Sequence, residues 1–222
     1  MTTDLSATSL RDAIAAFQEQ TASRLPPAIL AKLGPELESL ARSSYGKNSP
    51  QVGSQAPDFT LPEARGGALH LAELLAKGPA VVTFYRGGWC PFCDLQLRAF
   101  QGILPQIEAL GATLIAISPQ TPDNSLSTAE KAGLRFLVAS DVHNEVARAY
   151  GLVFKLSEGF QAVHKMFGHG PQSVNGDDSW ELPVPATFVI DQGGIVRFAG
   201  VDPDYTKRAE PAAILDTLRG LR

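Results

Sequence analysis

The stretch from Val81 to Leu110 leaves this chain little freedom. Val81-Val82-Thr83-Phe84-Tyr85 is β-branched or aromatic throughout, as a buried strand is. Gly87-Gly88 supplies a flexible turn. Behind it, Leu95, Leu97, Phe100, Ile103, Leu104, Ile107 and Leu110 recur at roughly helical spacing, with Pro91 suited to a first helical turn. Strand, turn and helix meet at Trp89-Cys90-Pro91-Phe92-Cys93, which holds both cysteines of the chain. A thiol at a helix start sits among unpaired N–H groups at the positive end of the helix dipole, which favours thiolate. Two such thiols one turn apart can close a disulfide, so the element predicts redox chemistry.

Bulk properties narrow the class. With 222 residues, 44% of them hydrophobic, the chain can bury a sizeable core. A net charge of −4 gives no electrostatic footprint for nucleic acid. No apolar run approaches the ~20 residues of a membrane span. Met1-Thr2-Thr3-Asp4-Leu5-Ser6 lacks the basic and then apolar pattern of a secretory signal, and two cysteines do not make a disulfide scaffold. A soluble cytoplasmic protein is expected.

Composition divides the chain into a helical arm over residues 1–49 and a domain over residues 50–222. In the arm, Leu10, Ile14 and Phe17 share one helical face, with Ser9 as cap and Asp12 three residues on. Pro26-Pro27 ends that helix and opens another, where Leu30, Leu33, Leu37 and Leu40 form a stripe that Gly34-Pro35 should kink or break. Such a stripe packs on its own core or crosses to a second copy in a homodimer. From residue 52, strands at 58–61, 80–85, 112–117 and 136–138 alternate with helical stretches, and a hairpin turning at Asp191-Gln192-Gly193-Gly194 precedes a last helix. A mixed sheet with helices on both faces follows. Residues 155–183, rich in Gly, Ser and charge, are expected as a long, partly ordered excursion.

Five segments in this order resemble the alkyl hydroperoxide reductase/thiol-specific antioxidant branch of the thioredoxin-like superfamily, the peroxiredoxin-like proteins. They are Val52 to Leu61, Val81 to Cys93, Ile117-Ser118-Pro119, Ser140-Asp141 with Ala147 to Leu152, and Val184 to Asp191. The resemblance implies an α/β thioredoxin-like fold, here with an N-terminal helical extension. It also implies a thiol peroxidase that needs no cofactor, with a hydroperoxide as substrate and a dithiol reductant, such as a thioredoxin-type donor, as partner.

It leaves the roles of Cys90 and Cys93 open. By thioredoxin logic Cys90 attacks and Cys93 resolves. By peroxiredoxin logic Cys93 is peroxidatic and Cys90 stands where a hydroxyl residue belongs. The family's peroxide-polarising Arg, two residues before Thr-Phe, is replaced by Pro185, which the thioredoxin pattern reads as a cis-proline facing the cysteine pair. Arg86 could supply positive charge instead, and Trp89 is expected to cover the disulfide. Either way a Cys90–Cys93 disulfide closes the cycle. The alternatives are protein dithiol–disulfide exchange and a binding protein switched by that disulfide.

A metal site is a weak rival. One C-x-x-C is half a zinc site, and only His70, His143, His164 and His169 could complete it. His143 is expected to cap or begin a helix, and Asp202-Pro203-Asp204-Tyr205 to form a solvated turn.

Overall fold

The computed structural model describes residues 9–166 and 170–222, so the expectations for residues 1–8 and for His169 lie outside the described residues. The arm forms α1 (Leu10–Ala22) and α2 (Pro27–Ala41). An antiparallel pair follows, β1 (Thr60–Pro62) with β2 (Ala68–His70), and then the short helix α3 (Leu71–Leu75). Next, β3 (Ala80–Phe84), α4 (Pro91–Ala109), β4 (Thr113–Ser118), α5 (Pro122–Ala132), β5 (Leu137–Ser140) and α6 (Glu145–Ala149) alternate. Then come β6 (Val153–Lys155), α7 (Glu158–Met166), α8 (Gln172–Asn175) and β7 (Glu181–Pro183). The hairpin β8 (Ala186–Ile190) and β9 (Val196–Val201) and the helix α9 (Pro211–Arg219) complete the order.

The main sheet has the order β5-β4-β3-β8-β9. The central strand β3 runs parallel to β4, with Val82 opposite Ile115, and antiparallel to β8, with Val82 opposite Phe188. Its apolar run is explained by complete burial on both faces. Alternation then sorts its side chains. Val82 and Phe84 join a cluster with Ile115, Tyr150 and Phe188, while Val81 and Tyr85 meet Leu97, Phe100 and Ile214 from α4 and α9. The sheet therefore fixes the C-terminal end of β3, where the cysteine turn begins, from both sides.

The arm packs on its own chain. Ser9 caps α1 by accepting from the Asp12 N–H, and Leu10 and Ile14 are buried with Ala99 of α4. The first N–H groups of α1, at Leu10 and Arg11, donate to the Glu210 carboxylate at 3.1 and 2.8 Å. That carboxylate completes the helix end and complements its dipole.

Three expectations need correction. α2 runs through Gly34-Pro35 without a break. Pro35 is exposed, so the carbonyl it leaves without an N–H partner faces water. Residues 155–183 are not a loose excursion but hold α7, α8 and β7, and β7 pairs antiparallel with β6. The charge there hides an amphipathic helix whose Phe160 and Val163 are buried, and the Ser157 hydroxyl ties its start to Glu36 of α2. His143 sits in a left-handed turn ahead of α6, with Asn144, also left-handed, at the helix cap. Among the described residues, no helix is long and apolar enough to cross a membrane.

Candidate active site

Cys90 occupies the N-cap of α4, in extended conformation (φ −89°, ψ 113°), and its carbonyl accepts from the N–H groups of Cys93 and Asp94 at 3.0 Å each. Pro91 begins the helix without needing an N–H partner. The approach to that cap depends on Gly87. Its φ of +142° suits glycine, and a Cβ there would stand 2.5 Å from the Trp89 indole nitrogen, which folds back over the turn. Cys90 and Cys93 are free thiols and fully buried.

Each sulfur has its own guanidinium. Arg86, the second residue beyond β3, is only 4% exposed, and its Nη2 donates to Cys90 Sγ at 3.0 Å. The guanidinium lies 3.7 Å above the Tyr205 ring and 5.1 Å from that of Trp89. On the other side, Arg208 brings Nη1 and Nη2 to 3.7 and 3.6 Å from Cys93 Sγ. It is held there by Nη1 donating to Gln96 Oε1 at 2.7 Å and Nε donating to the Tyr205 carbonyl at 2.7 Å. Gln96 in turn donates to the Thr187 hydroxyl at 3.2 Å, and that hydroxyl shares a hydrogen bond with Thr83 at 3.0 Å.

Burial pushes both thiols up. At Cys90 it is outweighed by the hydrogen bond from the Cys93 thiol and by the charges of Arg86 and Arg208, which hold Cys90 well below the ordinary thiol range. Cys93, buried and donating to that thiolate, is pushed well above it. The two shifts run in opposite directions, so of the two sulfurs Cys90 is the one favoured as thiolate. Burial opposes the Arg86 cation too, but the negative sulfur beside it keeps that side chain firmly protonated.

A cavity of about 490 Å³ lies beside this centre and reaches Arg86, Trp89 and Phe92 but neither sulfur. Arg86 and Trp89 stand at one side, and Phe17, Leu33 and Leu37 of the arm and Val163 of α7 supply much of its apolar wall. Phe17 also meets Phe92, which lies between the two cysteines in sequence, edge to face at 5.4 Å. His164 of α7 stands edge-on to Trp89 at 5.0 Å, so the segment after β6 is a wall of the site. Arg86 Nε and Trp89 Nε1 are buried donors without a hydrogen-bond partner. A thiolate, a fixed cation and two unanswered N–H groups make a centre suited to polarising an oxygen-bearing electrophile.

The structure brings Cys90, Cys93, Arg86 and Trp89 together and puts Pro185 away from the Arg86 cavity, on the side of Arg208 and Gln96. Pro185 borders a separate shallow cavity with Gln96, Thr187 and Arg208. Its expected cis bond is absent, since the described residues contain no cis peptide. The backbone accounts for this: Val184 donates to the Leu152 carbonyl at 2.8 Å, so the chain stays extended as it passes from β7 into β8.

Arg208, Tyr205 and Gln96 escaped the sequence reading. Asp202 and Asp204 do form a turn, accepting from the N–H groups of Asp204 and Thr206. That turn folds Tyr205 under Arg86 and directs Arg208 to a cysteine 115 residues away in the chain. Only an aromatic and an arginine following a turn signal hinted at it. His70 and His143 stand elsewhere: His70 bonds Asp58 at 2.9 Å and His143 pairs with Asp177 at 3.3 Å. Among the described residues, no three metal-ligating side chains cluster.

Residues 52–199 match the AhpC/TSA family model. A peroxiredoxin-named protein of Mycobacterium tuberculosis is 30% identical over 147 residues, 66% of this chain and 82% of its own length. The thiol-disulfide oxidoreductase ResA of Geobacillus thermodenitrificans is 27% identical over 152 residues, 68% of this chain and 70% of its own. The crystal structure of peroxidoxin BcpB from Mycobacterium tuberculosis superposes with a TM-score of 0.61 at 23% identity, covering 78% of this chain and 99% of that one, a likeness of fold.

Proposed function

The chain belongs to the AhpC/TSA family and is a thiol-dependent oxidoreductase, and from that premise we propose that it reduces hydroperoxides with Cys90 as the attacking thiolate and Cys93 as the resolving thiol. The observation that carries the assignment is the buried Arg86 guanidinium 3.0 Å from Cys90 Sγ at the start of α4. The cation favours the thiolate and stands where charge develops on a peroxide oxygen. Cys90 Sγ attacks the terminal oxygen, the O–O bond breaks, and the departing alkoxide or hydroxide takes a proton to leave as alcohol or water. Cys90 is then a sulfenic acid. The Cys93 sulfur attacks it, the sulfenic oxygen leaves as water, and the Cys90–Cys93 disulfide forms. A dithiol donor of the thioredoxin type returns the pair to the reduced state by exchange.

A second reading is dithiol–disulfide exchange on protein substrates, which the Trp-Cys-x-x-Cys order and the likeness to ResA favour. Stopped-flow oxidation by hydrogen peroxide and by cumene hydroperoxide separates the two in the parent, Cys90→Ser and Cys93→Ser. Peroxide reduction by Cys90 predicts that Cys93→Ser is still oxidised rapidly, to a trapped sulfenic acid, while Cys90→Ser is not. Rapid oxidation kept only by Cys90→Ser would reverse the two roles. Slow oxidation of every form, with ready reduction of an insulin disulfide by the parent, would leave the exchange reading.

A further inference from the structure

Arg86 serves Cys90, yet the cycle above also makes Cys93 act twice as an anion. It must be a nucleophile when the disulfide closes and a leaving group when the donor opens it. In the reduced state Cys93 is in no condition for either role. It is buried, and burial and the neighbouring Cys90 both disfavour its thiolate.

We propose that Arg208 drives this second half of the cycle by stabilising Cys93 as a thiolate once Cys90 has been consumed. The inference rests on the peroxide-reduction reading for the closure step; the reduction step is common to both readings. Geometry supplies the argument. Two guanidinium nitrogens lie 3.6 and 3.7 Å from Cys93 Sγ, in reach of a charge-assisted hydrogen bond to sulfur. Their position is set in advance, because Gln96 and the Tyr205 carbonyl hold the guanidinium and Thr187 and Thr83 hold Gln96. In the reduced state Arg208 adds its charge to that of Arg86 in favouring the Cys90 thiolate, yet the sulfur its two nitrogens reach is that of Cys93.

The charged and titratable groups facing Cys93 are Cys90, Arg86, Arg208 and Tyr85. Of these, the negative Cys90 disfavours a Cys93 thiolate. When Cys90 becomes a neutral sulfenic acid that repulsion vanishes while both arginines remain. The proton then leaves Cys93, its electron pair forms the S–S bond, and the sulfenic oxygen accepts a proton and departs as water. In reduction the donor thiolate attacks Cys90 Sγ, the S–S bond breaks, and its electron pair leaves on Cys93 beside Arg208. A better-stabilised leaving thiolate leaves faster. The single charge of the pair thus passes from one sulfur to the other, with an arginine waiting at each.

The test uses the full chain with Arg208→Gln and Arg208→Lys. Three rates are read: oxidation by hydrogen peroxide, closure of the disulfide afterwards, and its reduction by dithiothreitol. Arg208→Gln should slow closure and reduction about tenfold or more beyond any slowing of oxidation, and Arg208→Lys should recover part of the loss. In a Cys90→Ser background, the ultraviolet thiolate absorbance should report a higher Cys93 pKa after Arg208→Gln, and a smaller rise after Arg208→Lys. Equal slowing of all three rates, or a Cys93 titration indifferent to Arg208, would overturn the proposal. If the parent does not react with peroxide at all while Arg208 still moves the Cys93 titration and the reduction rate, the peroxidase reading fails and this role of Arg208 stands.

Discussion

The two cysteines lie one helical turn apart, yet they occupy opposite kinds of ground. Around Cys90 the site is aromatic: Arg86 rests on Tyr205 and Trp89, and the arm and α7 enclose a cavity beside them. Around Cys93 it is polar, with Arg208, Gln96, Thr187 and Thr83 linked hand to hand into the main sheet. The first side borders the cavity through Arg86, Trp89 and Phe92, whereas the second is held in one geometry by its hydrogen bonds. In the proposed cycle, what surrounds these identical side chains divides them into an attacking and a resolving sulfur. The motif's spacing alone does not divide them.

The harshest way to break this asymmetry is to remove each sulfur. Both single serine variants should lose steady-state peroxide turnover, but only Cys93→Ser should consume about one equivalent first, as mass spectrometry would detect. Next in size is Arg86→Gln, which leaves both sulfurs in place. It should slow oxidation of Cys90 about a hundredfold, measured by stopped flow, and move the Cys90 titration upward.

Acidity gives a milder probe. Because Cys90 is held below the ordinary thiol range, the oxidation rate should stay level as pH is lowered through that range and fall only below it. The same depressed value contributes stability to the reduced protein that is complete above the unfolded thiol pKa and disappears as pH drops through the folded one. A rate that instead declines through the ordinary thiol range would erase the distinction between the two sulfurs.

Smaller effects test the aromatic side alone. Phe17→Ala removes the edge-to-face contact with Phe92 and should lower stability by about 1 kcal/mol in urea unfolding. Glu210→Gln weakens the cap on α1 and should have the least effect, about 0.5–1 kcal/mol, in the same assay.

Most of the fold was legible because its signals are local. The uninterrupted apolar run before Tyr85 and the Asp191-Gln192-Gly193-Gly194 turn each declare an element without help from distant residues. The cysteine turn declared itself in the same way. What stayed hidden depends on tertiary partners. α7 gains its helical character from burying Phe160 and Val163 among neighbours that charge and glycine in the sequence obscure. Arg208 reaches Cys93 through a loop, and no periodicity records where a loop will send a side chain. The cis bond expected at Pro185 came from the thioredoxin pattern, and the described residues contain none.

The bond from Glu210 to the first turn of α1 joins groups 200 and 199 residues apart in the chain. In effect the arm is a ligand that the protein carries on a tether, seated at its own active site. Its hold draws on local concentration as well as on intrinsic affinity, and the connection itself packs on the domain through Tyr45 and the buried Ser49. A single proteolytic cut between Arg42 and Pro50 would leave every contact in place and yet turn this seating into a bimolecular equilibrium. Dilution alone would then empty the seat, and the supply of the excised helical peptide would set how much of the cavity wall remained.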